Sequence, residues 1–539
     1  MKKFLLVSML CVLGLNLNAQ NKKPKLVVGV VVDQMRFDYL NKFEKHYSED
    51  GFKRLKSAGF EMKNFHFNYV PTYTAPGHSS VFTGTSPMTH GIIGNNWYDK
   101  STDTYVYCAG DDSAEPVGTK DRAGKMSPHR LLTTTFADQN RLHTQFRGKT
   151  IGVSIKDRGA IMPAGHTANA AYWFHGDEGR FISSDFYMDK LPKWVKKFNK
   201  SKVAESYLKE WNTLNPIETY SESGSDKNDY EQGFDGQKTA TFPYDLKKLS
   251  EENGGYNILK STPYGNSLLL DFAKAAVTNE ELGQGDFTDV LTLSFSSTDY
   301  VGHNFGVNSK EIQDTYVRLD LEIADLLQYL DDQVGEGNYT IFLTSDHAAV
   351  HVPQFLKDKN IPAGYFDRKE MRKEVESFIE DKLDYDASII KNVSNNQFFL
   401  DYDQFETYAD FVEVQEEMKH FLIQYDQIDK VFTRQNLENN DMSFAAGELV
   451  KRGFNQKRSG DVIYALEPSV ISYPRRGSTH GSSLNYDTQA PFLIYGAGIK
   501  HGKSYRKAFI TDIAPTISAL LGTAMPNGAN GDVITEVLE

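Results

Sequence analysis

Six side chains able to ligate a cation fall just beyond short apolar runs: Asp33, then Asp299 and His303, then the adjacent Asp346 and His347, then His480. Between the first and second groups lies the segment TYTAPGHS, in which Thr74 precedes Pro76, Gly77 and His78. Mixed aspartate and imidazole ligation suits zinc, whereas magnesium or calcium calls for oxygen alone. Six such groups can hold two ions, which is the chemistry of a two-metal hydrolase. A threonine hydroxyl is a poor nucleophile until its proton is removed, and a neighbouring cation favours that loss electrostatically. Pro76 fixes the backbone direction and Gly77 allows close approach. A helix beginning over 79–83 is then expected to turn its N-terminus toward an anion.

The elements that must carry these residues read as strands. KLVVGVVV (25–32), DVLTLSF (289–295) and YTIFLT (339–344) have the continuous apolar character of parallel strands buried on both faces. Each is followed by a carboxylate, and ligands of open α/β sheets gather at the carboxyl ends of the strands. GKTIGVSI (148–155) reads as a further strand, ending in Lys156 and Arg158. After Asn304, the apolar stripe Ile312, Tyr316, Leu319, Ile323, Leu326 and Leu330 predicts a long helix, with Asn308 and Glu311 as its capping pair. That helix makes a right-handed crossover between the strands that deliver Asp299 and Asp346. A helix over 50–58, a strand over 491–495 and a helix over 512–521 complete the core. An aspartate after a strand is often only the N-cap of the next helix. The contiguous Asp346–His347 pair and the four-residue step from Asp299 to His303 argue for more than capping.

Two stretches interrupt this α/β pattern. One, about 166–288, is rich in aromatic and polar residues and contains SESGSDKND (221–229), expected as a disordered loop. The other, 364–461, alternates helix-like and strand-like segments and fits a small α+β cap. The expected organisation is a leader over 1–19, a core over 20–363 with the first insertion inside it, the cap, and a core segment over 462–539 that completes the site. The leader has Lys2 and Lys3, an apolar run and Ala19 before Gln20, the pattern of a secretory signal, so the mature chain is expected in the periplasm or outside the cell. Removing its two lysines takes the formal net charge from −13 to −15, which disfavours nucleic acid or an anionic membrane as partner. Cys108 is then the one remaining cysteine, so no internal disulfide supports the fold.

The motifs VVDQMR (31–36), TAPGHSS (74–80), GIIGNNW (91–97), SIKDR (154–158), STDYVGH (297–303), TSDH (344–347), STHGS (478–482) and DIAPT (512–516) occur in an order that resembles the alkaline phosphatase superfamily. More narrowly they are similar to the phosphate-irrepressible bacterial alkaline phosphatases with a threonine nucleophile. The resemblance spans nearly the whole mature chain. It implies a three-layer sandwich with a mostly parallel central sheet and inserted cap segments. It also implies that Asp299, His303 and His480 bind one zinc, while Asp33, Asp346 and His347 bind a second beside Thr74. Thr74 would carry the phosphoryl group of a small-molecule phosphate monoester, with Asn95, Lys156 and Arg158 donating to its oxygens.

Relatives on the same scaffold define the alternatives. Sulfatases use Cys or Ser in a Cys-x-Pro-x-Arg setting, and here Thr74 to His78 supplies neither the oxidisable residue nor the arginine. Type I phosphodiesterases and nucleotide pyrophosphatases share the threonine and the asparagine. A lysine–arginine pair, however, matches the extra charge of a monoester. A catalytically silent protein that keeps metals for stability would be expected to lack a ligand or Thr74, and every position is filled.

Overall fold

The computed structural model describes residues 23–439, 442 and 445–539; the leader expected over 1–19 lies outside them. Its centre is a ten-stranded sheet. In chain order the strands are β1 (Leu26–Val32), β2 (Phe60–Met62), β3 (Pro116–Val117), β4 (Thr150–Ser154), β5 (Ala170–His175), β6 (Arg180–Ser184), β7 (Asp289–Phe295), β8 (Tyr339–Thr344), β9 (Phe492–Gly496) and β10 (Gly502–Ser504). Across the sheet they run β10-β2-β9-β8-β1-β7-β4-β5-β6-β3. The five in the middle, β8-β1-β7-β4-β5, are parallel. β9 is antiparallel to β8, and β6 to β5.

Alternation along β1 shows why the sheet needs a layer on each face. Leu26, Val28, Val30 and Val32 enter one core with helix Tyr264–Asn279 and helix Lys310–Gln333. Val27 and Val31 enter the other, with Phe82, Phe136 and the closing helix Ile513–Leu521. Gly29 holds the middle place on that second face, where a Cβ would lie 2.8 Å from Phe342 and 3.0 Å from Phe82. Its lack of a side chain lets the Phe82 helix sit close to the sheet.

The inserted cap has its own antiparallel sheet, Ile390–Ser394, Gln397–Leu400, Val462–Leu466 and Ile428–Thr433 in spatial order. It packs on helices Arg368–Leu383 and Tyr408–Leu422. Val462–Leu466 lies past the expected boundary at 461, so the cap runs further than the composition indicated. Part of the first insertion likewise belongs to the core, because β5 and β6 extend the central sheet. The cap's first hairpin turns on Asn395 and Asn396, both with positive φ (53° and 59°), as a two-residue turn of primed type requires. Asn395 Nδ2 donates to Asn96 O at 2.7 Å, which fastens the cap to the loop beside Asn95.

Two local expectations change. The long helix starts at Lys310 with Ser309 as its cap, the hydroxyl accepting from Ile312 N, rather than at Asn308. Residues 221–229 form no helix or strand but are tied down: Gly224 N donates to Asn308 O at 2.6 Å, and Glu222 pairs with Lys45 and His46. Short polar segments of this kind look disordered in composition because their order comes from distant partners.

Candidate functional site

Strand register gathers the site. Ser154, Ser294, Val31 and Thr344 lie in one row across β4, β7, β1 and β8. Asp33 follows directly on β1, and Lys156 and Asp346 stand two residues beyond that row. Asp299 and His303 occupy one face of helix α1 (Ser297–Phe305), one turn apart, and His303 Nε2 lies 3.2 Å from Asp299 Oδ1. His480 reaches the same point from the loop before β9, its Nε2 3.8 Å from Asp299 Oδ1. His347 Nε2 lies 3.4 Å from Asp33 Oδ1 and 3.6 Å from Asp346 Oδ2.

Each of these histidines is held by its other nitrogen. Nδ1 of His303 faces Ser478 O at 2.7 Å, that of His480 faces Thr72 O at 2.7 Å, and that of His347 faces Ala348 O at 3.1 Å. A carbonyl oxygen only accepts, so the proton sits on Nδ1 and the Nε2 lone pair points inward. That is how metal-ligating histidines are fixed.

Thr74 is the first residue of a ten-residue helix, Thr74–Thr83, which starts five residues earlier than expected. Thr74, Ala75 and Pro76 take the opening positions, whose N–H groups have no intrahelical acceptor, so Pro76 costs the helix nothing there. The Ala75 N–H donates instead to Asn95 Oδ1 at 2.9 Å, which fixes the Asn95 carboxamide and leaves its nitrogen as a donor. Thr74 Oγ1 lies 3.4 Å from His347 Nε2. Gly77 presses on the strand-end loop, where a Cβ would stand 2.2 Å from Asp346 O.

Charge is unbalanced at this centre. Burial pushes the Asp33 carboxyl well up, helped by Asp299 and Asp346 and opposed by Lys156. Burial acts the same way on Asp299, but His303 and Lys156 together hold it well below the usual range. Asp346 is also kept low despite burial, by His347 and His78. Burial lowers His347 and His480, leaving them neutral as ligands must be. His303 moves the other way: burial lowers it, but the Asp299 carboxylate and the Ser478 carbonyl together raise it. The Lys156 ammonium lies 2.6 Å from both Asp33 Oδ2 and Asp299 Oδ2, and burial fails to lower it because those carboxylates raise it. Three carboxylates thus face one ammonium. Asp33 Oδ1 and Asp346 Oδ2 are buried without a hydrogen bond. Unspent oxygens and inward imidazole nitrogens fit divalent cations.

Donor atoms of Asp299, His303 and His480 all lie within 4.8 Å of one another, and so do those of Asp33, Asp299 and His347. The first set is the one the resemblance implied. In the second, Asp299 stands where Asp346 was expected, with Asp346 alongside. Arg158 donates from Nη1 to Tyr107 Oη at 3.2 Å, and its buried Nε has no partner.

Several residues at the site were not singled out in the sequence. Gln34, with φ of 64°, donates from Nε2 to Asp299 Oδ1 at 2.7 Å and from its backbone N to Asp346 Oδ1 at 3.1 Å. His78, one turn after Thr74, donates from Nδ1 to Thr74 O at 2.9 Å and lies 3.2 Å from Asp346 Oδ2. Its four-residue step from Thr74 was the available signal. Lys260 stands in the field of Asp157, Arg158 and Lys156, burial lowering its pKa. Gln34 follows Asp33 within VVDQMR, but no local pattern gives its side chain, or that of Lys260, a role of its own.

Residues 27–490 match the profile of the family described as Type I phosphodiesterase / nucleotide pyrophosphatase. The chain is 46% identical to a "Calcium-transporting ATPase" of Myroides odoratus, over 100% of this chain and 99% of that protein. It is 45% identical to the alkaline phosphatase PhoV of Synechococcus elongatus, over 96% of this chain and 93% of the relative. Identity to the alkaline phosphatase PafA of Elizabethkingia meningoseptica is 43%, over 96% and 95%. The crystal structure of PafA matches the fold with a TM-score of 0.92 over 96% of this chain and 99% of that one. With its parallel strand ends converging on Thr74 and a mixed aspartate and histidine cluster, the chain belongs to the type I phosphodiesterase/nucleotide pyrophosphatase family of the alkaline phosphatase superfamily and, within it, is a phosphate-irrepressible alkaline phosphatase.

Proposed function

We propose that the protein hydrolyses small-molecule phosphate monoesters to inorganic phosphate and an alcohol through a phosphothreonine at Thr74. The observation that carries this reading is the juxtaposition of Thr74 Oγ1 with His347 Nε2, 3.4 Å away, among carboxylates that one lysine does not neutralise. Asp299, His303 and His480 would hold one divalent ion, and Asp33, Asp346 and His347 a second beside Thr74. Zinc suits these donors and, when bound, supplies the charge that lowers the nucleophile's pKa and stabilises the departing oxygen.

The chain's own residues do the rest. Thr74 Oγ attacks phosphorus in line, losing its proton as the O–P bond forms and the ester O–P bond breaks. Water then attacks the phosphothreonine from the side the alcohol left, restoring the hydroxyl and releasing phosphate. Two inversions leave configuration at phosphorus retained. The Asn95 amide, the Lys156 ammonium and the unpartnered Arg158 Nε are fixed donors for the oxygens that do not react. Their charge suits a monoester dianion better than a diester. ATP hydrolysis, named for one relative, is phosphoryl transfer that the same nucleophile could serve. Among the described residues no helix is long and apolar enough to cross a membrane. The leader pattern supports a periplasmic or secreted enzyme.

The test is kcat/KM for a monoester and its matched diester, in the wild type and in Lys156→Ala/Arg158→Ala. Each charge-assisted contact is worth about 1.5–3 kcal/mol, so the monoester preference should shrink by roughly two orders of magnitude or more. A wild-type preference for the diester would favour the phosphodiesterase reading. Turnover of neither ester by metal-loaded protein would favour a silent binding protein.

A further inference from the structure

A cavity of ≈ 320 Å³ lies between the cap and the carboxyl edge of the central sheet, in the size range of small-molecule sites. It shares walls with the metal cluster. His480 lines it directly, and so does Tyr473, whose ring stacks on His303 with centroids 5.7 Å apart. Tyr73, the residue before Thr74, also faces it, edge-on to His480 at 5.7 Å. The cap contributes Tyr464 and Arg368, the latter opening helix Arg368–Leu383.

Four tyrosines, Tyr73, Tyr464, Tyr473 and Tyr486, line it among aliphatic and small polar side chains, together with one arginine. Among the described residues Arg368 makes no ion pair with a carboxylate. Asp487, which also reaches the cavity, gives its Oδ2 to Gly481 N and Ser482 N. The Arg368 guanidinium is near enough to Tyr73, Tyr105 and Tyr464 to oppose the burial that raises their hydroxyl pKa values. Tyr105 is 58% exposed on the hairpin Asn96–Asp99/Thr104–Tyr107, directly after Asn95. An aromatic rim and a spare guanidinium thus border the side of the site opposite Lys156 and Arg158 in role. Those two would serve the phosphoryl oxygens, which leaves the cavity for the organic part of the ester.

We infer that this cavity is the subsite for the leaving alcohol, and that Arg368 selects esters whose leaving group carries an aryl ring and a second negative charge. The ring packs on tyrosine faces and the second anion meets the guanidinium, which recognises carboxylate or phosphate in its plane. The inference rests on the monoesterase reading of Thr74.

The experiment measures kcat/KM for phenyl phosphate and for 4-carboxyphenyl phosphate in the wild type, Arg368→Ala and Arg368→Lys. Dividing one ester by the other within each protein, and then variant by wild type, cancels the difference in intrinsic reactivity. That double ratio is expected to fall about tenfold in Arg368→Ala, the low end for a charge-assisted contact at an exposed residue, and to recover partly in Arg368→Lys. Added salt should narrow the wild-type preference toward the alanine value. An unchanged double ratio in Arg368→Ala overturns the subsite while leaving the monoesterase reading intact. Failure of the wild type to hydrolyse either ester overturns the monoesterase reading and this inference with it.

Discussion

The imidazoles of His347 and His480 lie face to face, ring centroids 3.4 Å apart and 12° from parallel. One belongs to the ligand set around Thr74 and the other to the set around Asp299, so the two candidate ion sites share a wall. Chelation of the purified enzyme should abolish turnover and lower the melting temperature together, since ligands that bind only the folded state stabilise it. Zinc should restore both. Full turnover by rigorously metal-free protein with an unchanged melting temperature would contradict a metal role.

Gly77→Ala should damage the enzyme without replacing a ligand or the nucleophile. The new methyl would meet the Asp346 carbonyl at 2.2 Å and the Asp346 Cβ at 2.7 Å, forcing the Thr74 helix away from the strand ends. Overpacking of this kind costs about 1–3 kcal/mol of stability. A shift near 1 Å at the nucleophile can cost about a hundredfold in rate. Wild-type kcat and melting temperature in this variant would mean that the helix need not sit so close.

The pH dependence of stability should show Glu322, on the long helix Lys310–Gln333. Burial pushes its carboxyl up to about 8, with Ser267 Oγ donating to one oxygen and the other buried without a partner. A raised folded pKa means that the stabilising contribution is full below the unfolded value near 4.5 and is lost as pH rises through about 8. Glu322→Gln should therefore flatten the fall in unfolding free energy between those two values, followed by denaturant titration. An identical slope in variant and wild type would mean that Glu322 does not titrate in this window.

Much of this was legible in the sequence where the chemistry is local. β7 and β8 begin and end where their largely apolar runs do, because strands buried on both faces are rich in apolar and β-branched side chains, with only small polar residues and a terminal aspartate among them. Asp299, His303 and His480 converge as strand-end logic and the resemblance implied. What escaped was fixed by long-range contact. Gln34 touches Asp299 and Asp346, both more than 260 positions away, and a left-handed glutamine leaves no local signature. The start of the Thr74 helix was misplaced because a proline suggested a turn, while the Asn95 carboxamide that satisfies its first N–H arrives from another loop. The boundary set at 461 falls just before Val462–Leu466, whose two partner strands, Gln397–Leu400 and Ile428–Thr433, both lie inside the insertion.

The central claim is that Thr74 carries the phosphoryl group. Mixing zinc-loaded enzyme with a phosphorus-labelled monoester, quenching in acid within the first turnovers and mapping the label by peptide mass spectrometry tests it directly. The account predicts label on the peptide containing Thr74. In Thr74→Ala, label and turnover should be lost by several orders of magnitude, with folding and metal content retained. Stoichiometric label on another residue, or undiminished turnover in Thr74→Ala, would contradict it.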